Sequence, residues 1–307
     1  MIHTASHGSN PKGMQEERLN AFPQKHANPA PRFFVPYTKM SGDFAIVIEV
    51  VPPQGPDIVR LMTSLSPLEG VCFSRFSVAS NPVAKPCLSA LAVCAAIRQR
   101  LNKNSVLHCT TRDYNRLSLH SQLWGAKALG LHSVLIMTGD LVAPGNRTST
   151  TTVRDVDVFG LVRMAREAGL YTGVVFGSGA PSSGLERAIR RLEEKTAAGA
   201  QYVVTQPIYD AEGAESLRKN LAHIAIPKIA GVLPLHSARH ASFLHDRVSG
   251  IEVPEAVRDR MSSARDQMRE GIDNAREVVA ECRKNFDGVC LMPAFNRFET
   301  IREVLAP

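Results

Sequence analysis

The sequence predicts an α/β protein: a (β/α)8 TIM barrel preceded by an N-terminal arm. Three observations carry this expectation. Eight short apolar runs recur along the chain. Between them lie segments whose apolar residues repeat at three and four positions, the spacing of one helix face. Three of those segments end in the same way, on a glycine followed within a few residues by the next apolar run.

Residues 1–40 are polar and rich in proline, with no clear period, and read as an arm that is partly disordered or pinned by Phe33-Phe34 and Tyr37. Residues 41–307 read as the barrel. Its strands are expected at Phe44–Val51, Val71–Val78, Ser105–Cys109, Ser133–Met137, Thr172–Phe176, Tyr202–Thr205, Lys228–Leu233 and Gly288–Met292. Runs of this length bounded by turn formers suit strands buried on both faces. Val158, Leu161, Val162 and Ala165 mark one helix face, and Leu185, Ala188, Ile189, Leu192 and Thr196 another. Trp124 with Leu117, Leu123 and Leu131 reads as a core stripe. Gly130, Gly169 and Gly199 sit where a C-terminal cap needs positive φ. Two further helical stretches, about Pro254–Ala264 and Arg265–Arg283, fill the gap before the last strand. A doubly wound open sheet is the alternative. Its dinucleotide-binding form carries GxGxxG after the first strand, whereas here that strand runs into Val51-Pro52-Pro53-Gln54-Gly55.

Bulk properties narrow the function. No apolar run approaches the roughly 18–20 residues of a membrane helix. The first twenty residues lack the apolar core of a signal peptide, so a cytoplasmic protein is expected. Six cysteines show no metal spacing and read as free thiols in a reducing compartment. The formal charge of +7 is spread rather than clustered, and Arg187–Lys195 also contains Glu193 and Glu194. That suits an acidic small molecule at least as well as a nucleic acid, and no nucleic-acid or membrane partner is expected. His236 and His240 stand four apart without a third ligand at zincin spacing, so no metal site is expected.

In such a barrel the chemistry sits at the C-terminal ends of the strands. Those ends carry Glu49-Val50-Val51-Pro52-Pro53, Ser80-Asn81-Pro82, His108 with Thr110–Asp113, Thr138-Gly139-Asp140, Gly177-Ser178-Gly179, Gln206, Leu233-Pro234 and Pro293–Arg297. Polar groups thus gather at one rim. A carboxyl such as Glu49, at the end of an apolar strand, can be kept protonated near neutral pH by burial. An amide such as Gln206 can both donate and accept.

The motifs IEVVPP (Ile48–Pro53), LHCTTRD (Leu107–Asp113), LIMTGD (Leu135–Asp140), AAGAQYVVTQPIYD (Ala197–Asp210), GVLPL (Gly231–Leu235) and PAFNR (Pro293–Arg297) resemble, in the same order, those of methylenetetrahydrofolate reductases. The likeness runs from about residue 44 to the end and is nearest the reductase half of fused homocysteine methyltransferase–reductase proteins. It implies a (β/α)8 flavoprotein that interconverts 5,10-methylenetetrahydrofolate and 5-methyltetrahydrofolate through FAD, with NAD(P)H as electron donor and a homo-oligomeric assembly. It implies Glu49 as general acid and Asp140 as the acid near flavin and pterin, with Gln206 and Arg297 on the folate. His108, Thr110, Thr138, Gly139, Asp140, Arg154, Asp155, Gly177 and Lys195 are the positions it implies for the flavin. The chain departs from the family at Phe176–Pro181, which lacks an aromatic-Pro-x-x-His-Pro pattern. It departs again at Glu193-Glu194, where basic residues are common, and at Ala238, where an aromatic is common. These departures leave open an oxidative working direction in one-carbon catabolism, a flavin-free reductase with direct nicotinamide-to-folate transfer, or a non-catalytic folate-binding paralogue.

Overall fold

The computed structural model describes residues 44–140, 142, 150–177, 184–248 and 250–306. The expected arm at residues 1–40 and the loop Ser178–Pro181 lie outside the described residues.

Eight parallel strands close into a barrel in chain order: β1 (Ala45–Val50), β2 (Arg75–Val78), β3 (Ser105–Thr110), β4 (Ser133–Met137), β5 (Tyr171–Phe176), β6 (Tyr202–Pro207), β7 (Lys228–Val232) and β8 (Gly288–Leu291), with β8 paired to β1. The (β/α)8 expectation is met. Strand β2 is shorter than the apolar run suggested. The Val71 N–H turns back to the Leu68 carbonyl, and pairing with β1 starts only at Ser74, whose N–H donates to the Ile46 carbonyl. Strand β6 is longer, because the chain shifts register between Val204 and Pro207 and still pairs Pro207 with Gly231.

The described helices are α1 (Ile58–Ser64), α2 (Ala90–Leu101), α3 (Arg116–Ala128), α4 (Val158–Glu167), α5 (Leu185–Ala197), α6 (Ala211–Asn220), α7 (Ala238–Arg247), α8 (Glu255–Ser263), α9 (Gln267–Asn285) and α10 (Phe298–Val304). None is long and apolar enough to cross a membrane. Side chains of Asp57, Asn115, Asp157, Asp210, Ser237 and Asp266 accept from the first-turn N–H groups of α1, α3, α4, α6, α7 and α9. At the other end, α3, α4 and α5 share one device. Gly130, Gly169 and Gly199 have φ of 72°, 72° and 113°, and each N–H reaches back three residues while the next reaches back five. This paired bond satisfies the last carbonyls and turns the chain into the following strand.

Helix α4 buries Val158, Leu161, Val162 and Ala165 as its spacing predicts. The core stripe expected through Leu117 and Trp124 is not the buried face of α3. Leu119, Leu123 and Ala126 form the buried face of α3, and Leu131 beyond it is also buried. Leu117 and Trp124, seven positions apart, share the opposite face at 77% and 61% exposure, and Trp124 packs on the His120 ring instead.

Among the described residues, two of the three apolar clusters pack on the sheet. One lies between the sheet and the helices. The other fills the barrel and comprises Ala45, Val47, Val106, Leu135, Tyr202, Val204, Ile229 and Cys290. Tyr202 is the largest member and is fully buried. Its hydroxyl donates to the Val134 carbonyl at 2.8 Å, and its ring stacks on Tyr171 with centroids 5.2 Å apart. Gly173 on the neighbouring strand makes this possible, because a Cβ there would stand 2.1 Å from the ring.

Gly173→Ala is therefore expected to destabilise the fold by about 1–3 kcal/mol through overpacking. Tyr202→Phe should cost only about 1 kcal/mol for one hydrogen bond. Urea titration of both variants checks this ordering, and equal midpoints for Gly173→Ala and the parent protein would refute it.

Candidate active site

Side chains alternate along a strand, so the inward set continues upward two residues at a time. On β1 it passes from Ala45 and Val47 to Glu49, on β3 from Val106 to His108, and on β6 from Tyr202 and Val204 to Gln206. The register places Glu49 opposite Ser77 of β2. The polar layer expected from the sequence therefore caps the apolar interior.

Glu49 keeps partial solvent contact at the barrel mouth, yet has no hydrogen bond or ion pair among the described residues. Loss of water around it pushes its carboxyl from the usual 4.5 up to about 7. Cys290 lies near it: burial, then the Glu49 charge, holds that thiol well above its ordinary range. His108 is buried, with Nε2 2.7 Å from Ser77 Oγ, and burial lowers it to about 4. At neutral pH it is an uncharged imidazole, able to donate from one nitrogen and accept at the other. Ser77 was not singled out in the sequence. A polar residue one position before the end of β2 is the sequence signal for it; its register opposite Glu49 is a tertiary fact.

The ends of β3 and β4 form a second group. Thr110 donates through Oγ1 to Asp113 Oδ2 at 2.9 Å, so its hydroxyl hydrogen is committed within the protein. Arg112 is 4% exposed and binds Asp113 through Nε at 2.6 Å and Nη2 at 2.9 Å. Its backbone N–H donates to the Thr138 carbonyl. Gly139, at φ 89°, passes directly over it: a Cβ there would lie 3.2 Å from Arg112 Cβ. Thr138 and Asp140 are exposed on either side of that glycine. The Asp140 carboxylate accepts from the Val83 N–H at 2.6 Å. Arg112 and Asp113 were noted in the sequence only as part of a strand end. The bidentate pair they form is a tertiary fact.

The remaining expected residues are spread more widely. Arg154 and Asp155 are exposed beyond β4, and Asp155 accepts from the Arg116 N–H at the start of α3. Gly177 is exposed at the end of β5, and a Cβ on it would stand 3.6 Å from the Gln206 amide nitrogen. The Gln206 side chain makes no hydrogen bond among the described residues. On α5 the Lys195 Nζ donates to the Val175 carbonyl at 2.7 Å. Burial and then Arg191 bring its ammonium down to about 8. Arg297 is exposed after β8. The preceding Asn296 grips β1 just above Glu49, accepting from the Val51 N–H at 3.1 Å and donating to its carbonyl at 2.7 Å. His240 Nδ1 accepts from the His236 N–H, and both rings border exposed Phe295.

Backbone strain gathers here too. Among the described residues, the non-glycine positions with positive φ are Asn81, Val83, Ala84, Phe295, Asn296 and Asn102. All but Asn102, the cap of α2, lie in rim loops. Such conformations cost of order 1–3 kcal/mol each and persist only where neighbours hold them.

The family model for methylenetetrahydrofolate reductase matches residues 37–306. A probable methylenetetrahydrofolate reductase (NADPH) of Caenorhabditis elegans is 26% identical over 231 residues. That alignment covers 71% of this chain but 34% of the relative, so the chain spans about a third of its length. Among solved structures, a Clostridium thermocellum protein described as binding two copies of 5-methyl-5,6,7,8-tetrahydrofolic acid superposes with a TM-score of 0.61. It is 13% identical, with 85% of this chain and 93% of that one covered, a likeness of fold. With a family model matched along nearly its whole length and a closed eight-stranded barrel beneath that match, the chain belongs to the methylenetetrahydrofolate reductase family.

Proposed function

We propose that this chain interconverts 5,10-methylenetetrahydrofolate and 5-methyltetrahydrofolate by hydride transfer through a bound flavin, with Glu49 as general acid. One observation carries the reading: an unpaired carboxyl, half-protonated near pH 7, at the mouth of a barrel from this family. An acid in that state can still give up its proton at neutral pH. Opening the N–C–N bridge of the substrate requires such a proton on the departing nitrogen, and Glu49 supplies it. In the reverse direction the same carboxylate takes the proton back.

The residues at the rim suit a flavin. Gly139 lies close over Arg112, and the exposed Thr138 and Asp140 flank it at the β4 end. His108 below is uncharged, and Gln206 beside Gly177 has a spare amide. Thr138, Gly139, Asp140, His108 and Gly177 would hold the ring system, with Arg154 answering its phosphates. A flavin held there supplies the hydride that no side chain can. Gln206 offers donor and acceptor to a pterin edge, and Arg297 a cation to the glutamate tail of a folate.

A second reading is favoured by the Lys195 ammonium. It is engaged by the Val175 carbonyl, and the exposed carboxylates Glu193 and Glu194 precede it, so the phosphate side is poorly supplied with cations. Direct transfer from a nicotinamide to the folate would use the same Glu49 and Gln206.

The visible spectrum of the purified protein distinguishes the two. A flavin band that bleaches with anaerobic 5-methyltetrahydrofolate supports the first reading. No flavin, and none taken up from added FAD, excludes it. Glu49→Gln is expected to lower folate turnover by about 10²–10⁴-fold while leaving any flavin spectrum unchanged. In the reductive direction the parent rate should fall above about pH 7 as Glu49 ionises. Stability gives an independent check. Folding raises the Glu49 affinity for its proton, so its ionisation cost is absent below pH 4.5 and complete above about 7. Glu49→Gln should match the parent protein at pH 4 and exceed it at pH 8 by up to about 3 kcal/mol. A constant difference across that range in denaturant titrations would refute the assignment.

A further inference from the structure

Arg112 has no place in the chemistry just described, yet it is the best-satisfied ion at the rim. Its guanidinium joins three segments that are far apart in sequence. Nε and Nη2 hold Asp113 on its own loop. Nη2 also donates to the Asn81 carbonyl at 2.9 Å, in the loop after β2. Nη1 donates to the Asp140 carbonyl at 2.9 Å, at the end of β4. The loops are tied a second time. Asp113 Oδ2 accepts from Asn81 Nδ2 at 3.1 Å and from Thr110 Oγ1 at 2.9 Å. Val83 N–H closes the ring on the Asp140 carboxylate.

The arrangement fixes Asp140 at both ends. Arg112 holds its main chain and the Val83 amide holds Oδ2, while Oδ1 makes no hydrogen bond among the described residues. The amide that does this belongs to a β-branched residue at φ 50°, between Asn81 at 43° and Ala84 at 55°. Left to itself that loop would relax. Arg112 resists this by gripping Asn81, and Gly139 lets the β4 end approach closely enough for the fork to reach.

We propose that Arg112 is a positioning residue for Asp140: with Asp113 it forms a clasp that orients the carboxylate towards the reacting molecules. The proposal rests on the reading that Asp140 contacts flavin and pterin. A guanidinium is required because four donor–acceptor bonds leave it in fixed, fork-like directions, which a lysine ammonium cannot reproduce. The bond to Asp113, then the charges of Asp113 and Asp140, raise the guanidinium's affinity for its proton.

A double-mutant cycle on the full chain tests this, with kcat and KM for 5-methyltetrahydrofolate oxidation by an artificial electron acceptor as readout. Arg112→Lys should lower kcat by about 10- to 100-fold, the scale of a misplaced catalytic group, with KM changed far less. In an Asp140→Asn background the same substitution should lower kcat no further. Two independent losses that multiply would overturn the positioning role while leaving Asp140 as a functional residue. Parent-like kcat and KM in Asp140→Asn would instead sink the role given to Asp140, and the proposal with it. Should Arg112→Lys fail to fold, Asp113→Asn removes the anchoring charge at nearly constant shape. It enters the same cycle with the same expected and overturning results.

Discussion

The rim exists because β8 closes laterally onto β1. Gly288 pairs with Ala45, and a Cβ on that glycine would stand 2.4 Å from the Ala45 carbonyl oxygen. Gly231 plays the same part between β6 and β7, where a Cβ would meet the Thr205 carbonyl at 2.6 Å. With the edges joined and all strands parallel, every C-terminal end faces one side. The inward side chains at that level then have nowhere to go but into a shared space. Glu49, Ser77, His108 and Gln206 reach this level for this reason, from β1, β2, β3 and β6.

Two opposite treatments of polar groups meet in that space. Arg112 and Asp113 are packed with partners and hold loops in place. Glu49 and Gln206 are left without partners among the described residues. Both keep partial contact with water, so their unused bonds are open to a bound molecule. The strained Val83 and Asn296 belong to the supported side of this division, since each is bonded across to another loop.

Much of this was legible in the sequence, because local rules governed it. Eight strand positions followed from apolar runs, and the glycines after α3, α4 and α5 announced their caps. Glu49 and Gln206 followed from strand-end position together with the motif resemblance. What was hidden depended on partners distant in the chain. Nothing in the run Arg75–Val78 indicates that Ser77 meets His108. Nothing local to LHCTTRD shows Arg112 reaching Asn81 and Asp140. Trp124 misled because hydrophobicity alone does not say which side of α3 faces the barrel, and the stronger Leu119–Leu123–Ala126 face decided it. The resemblance implies Lys195 for the flavin, and only the packed helix shows its ammonium bonded to the Val175 carbonyl.

The raised proton affinity of Glu49 belongs to no single strand. Its walls include β2 and also β8, whose Cys290 feels its charge, and the loop above it is pinned by Asn296, 245 residues from Val51. An intermediate with the first strands paired but the seam between β1 and β8 still open would expose the carboxyl to water. It would then titrate as an ordinary glutamate. The proton affinity of this one side chain thus depends on the ring of strands being closed around it.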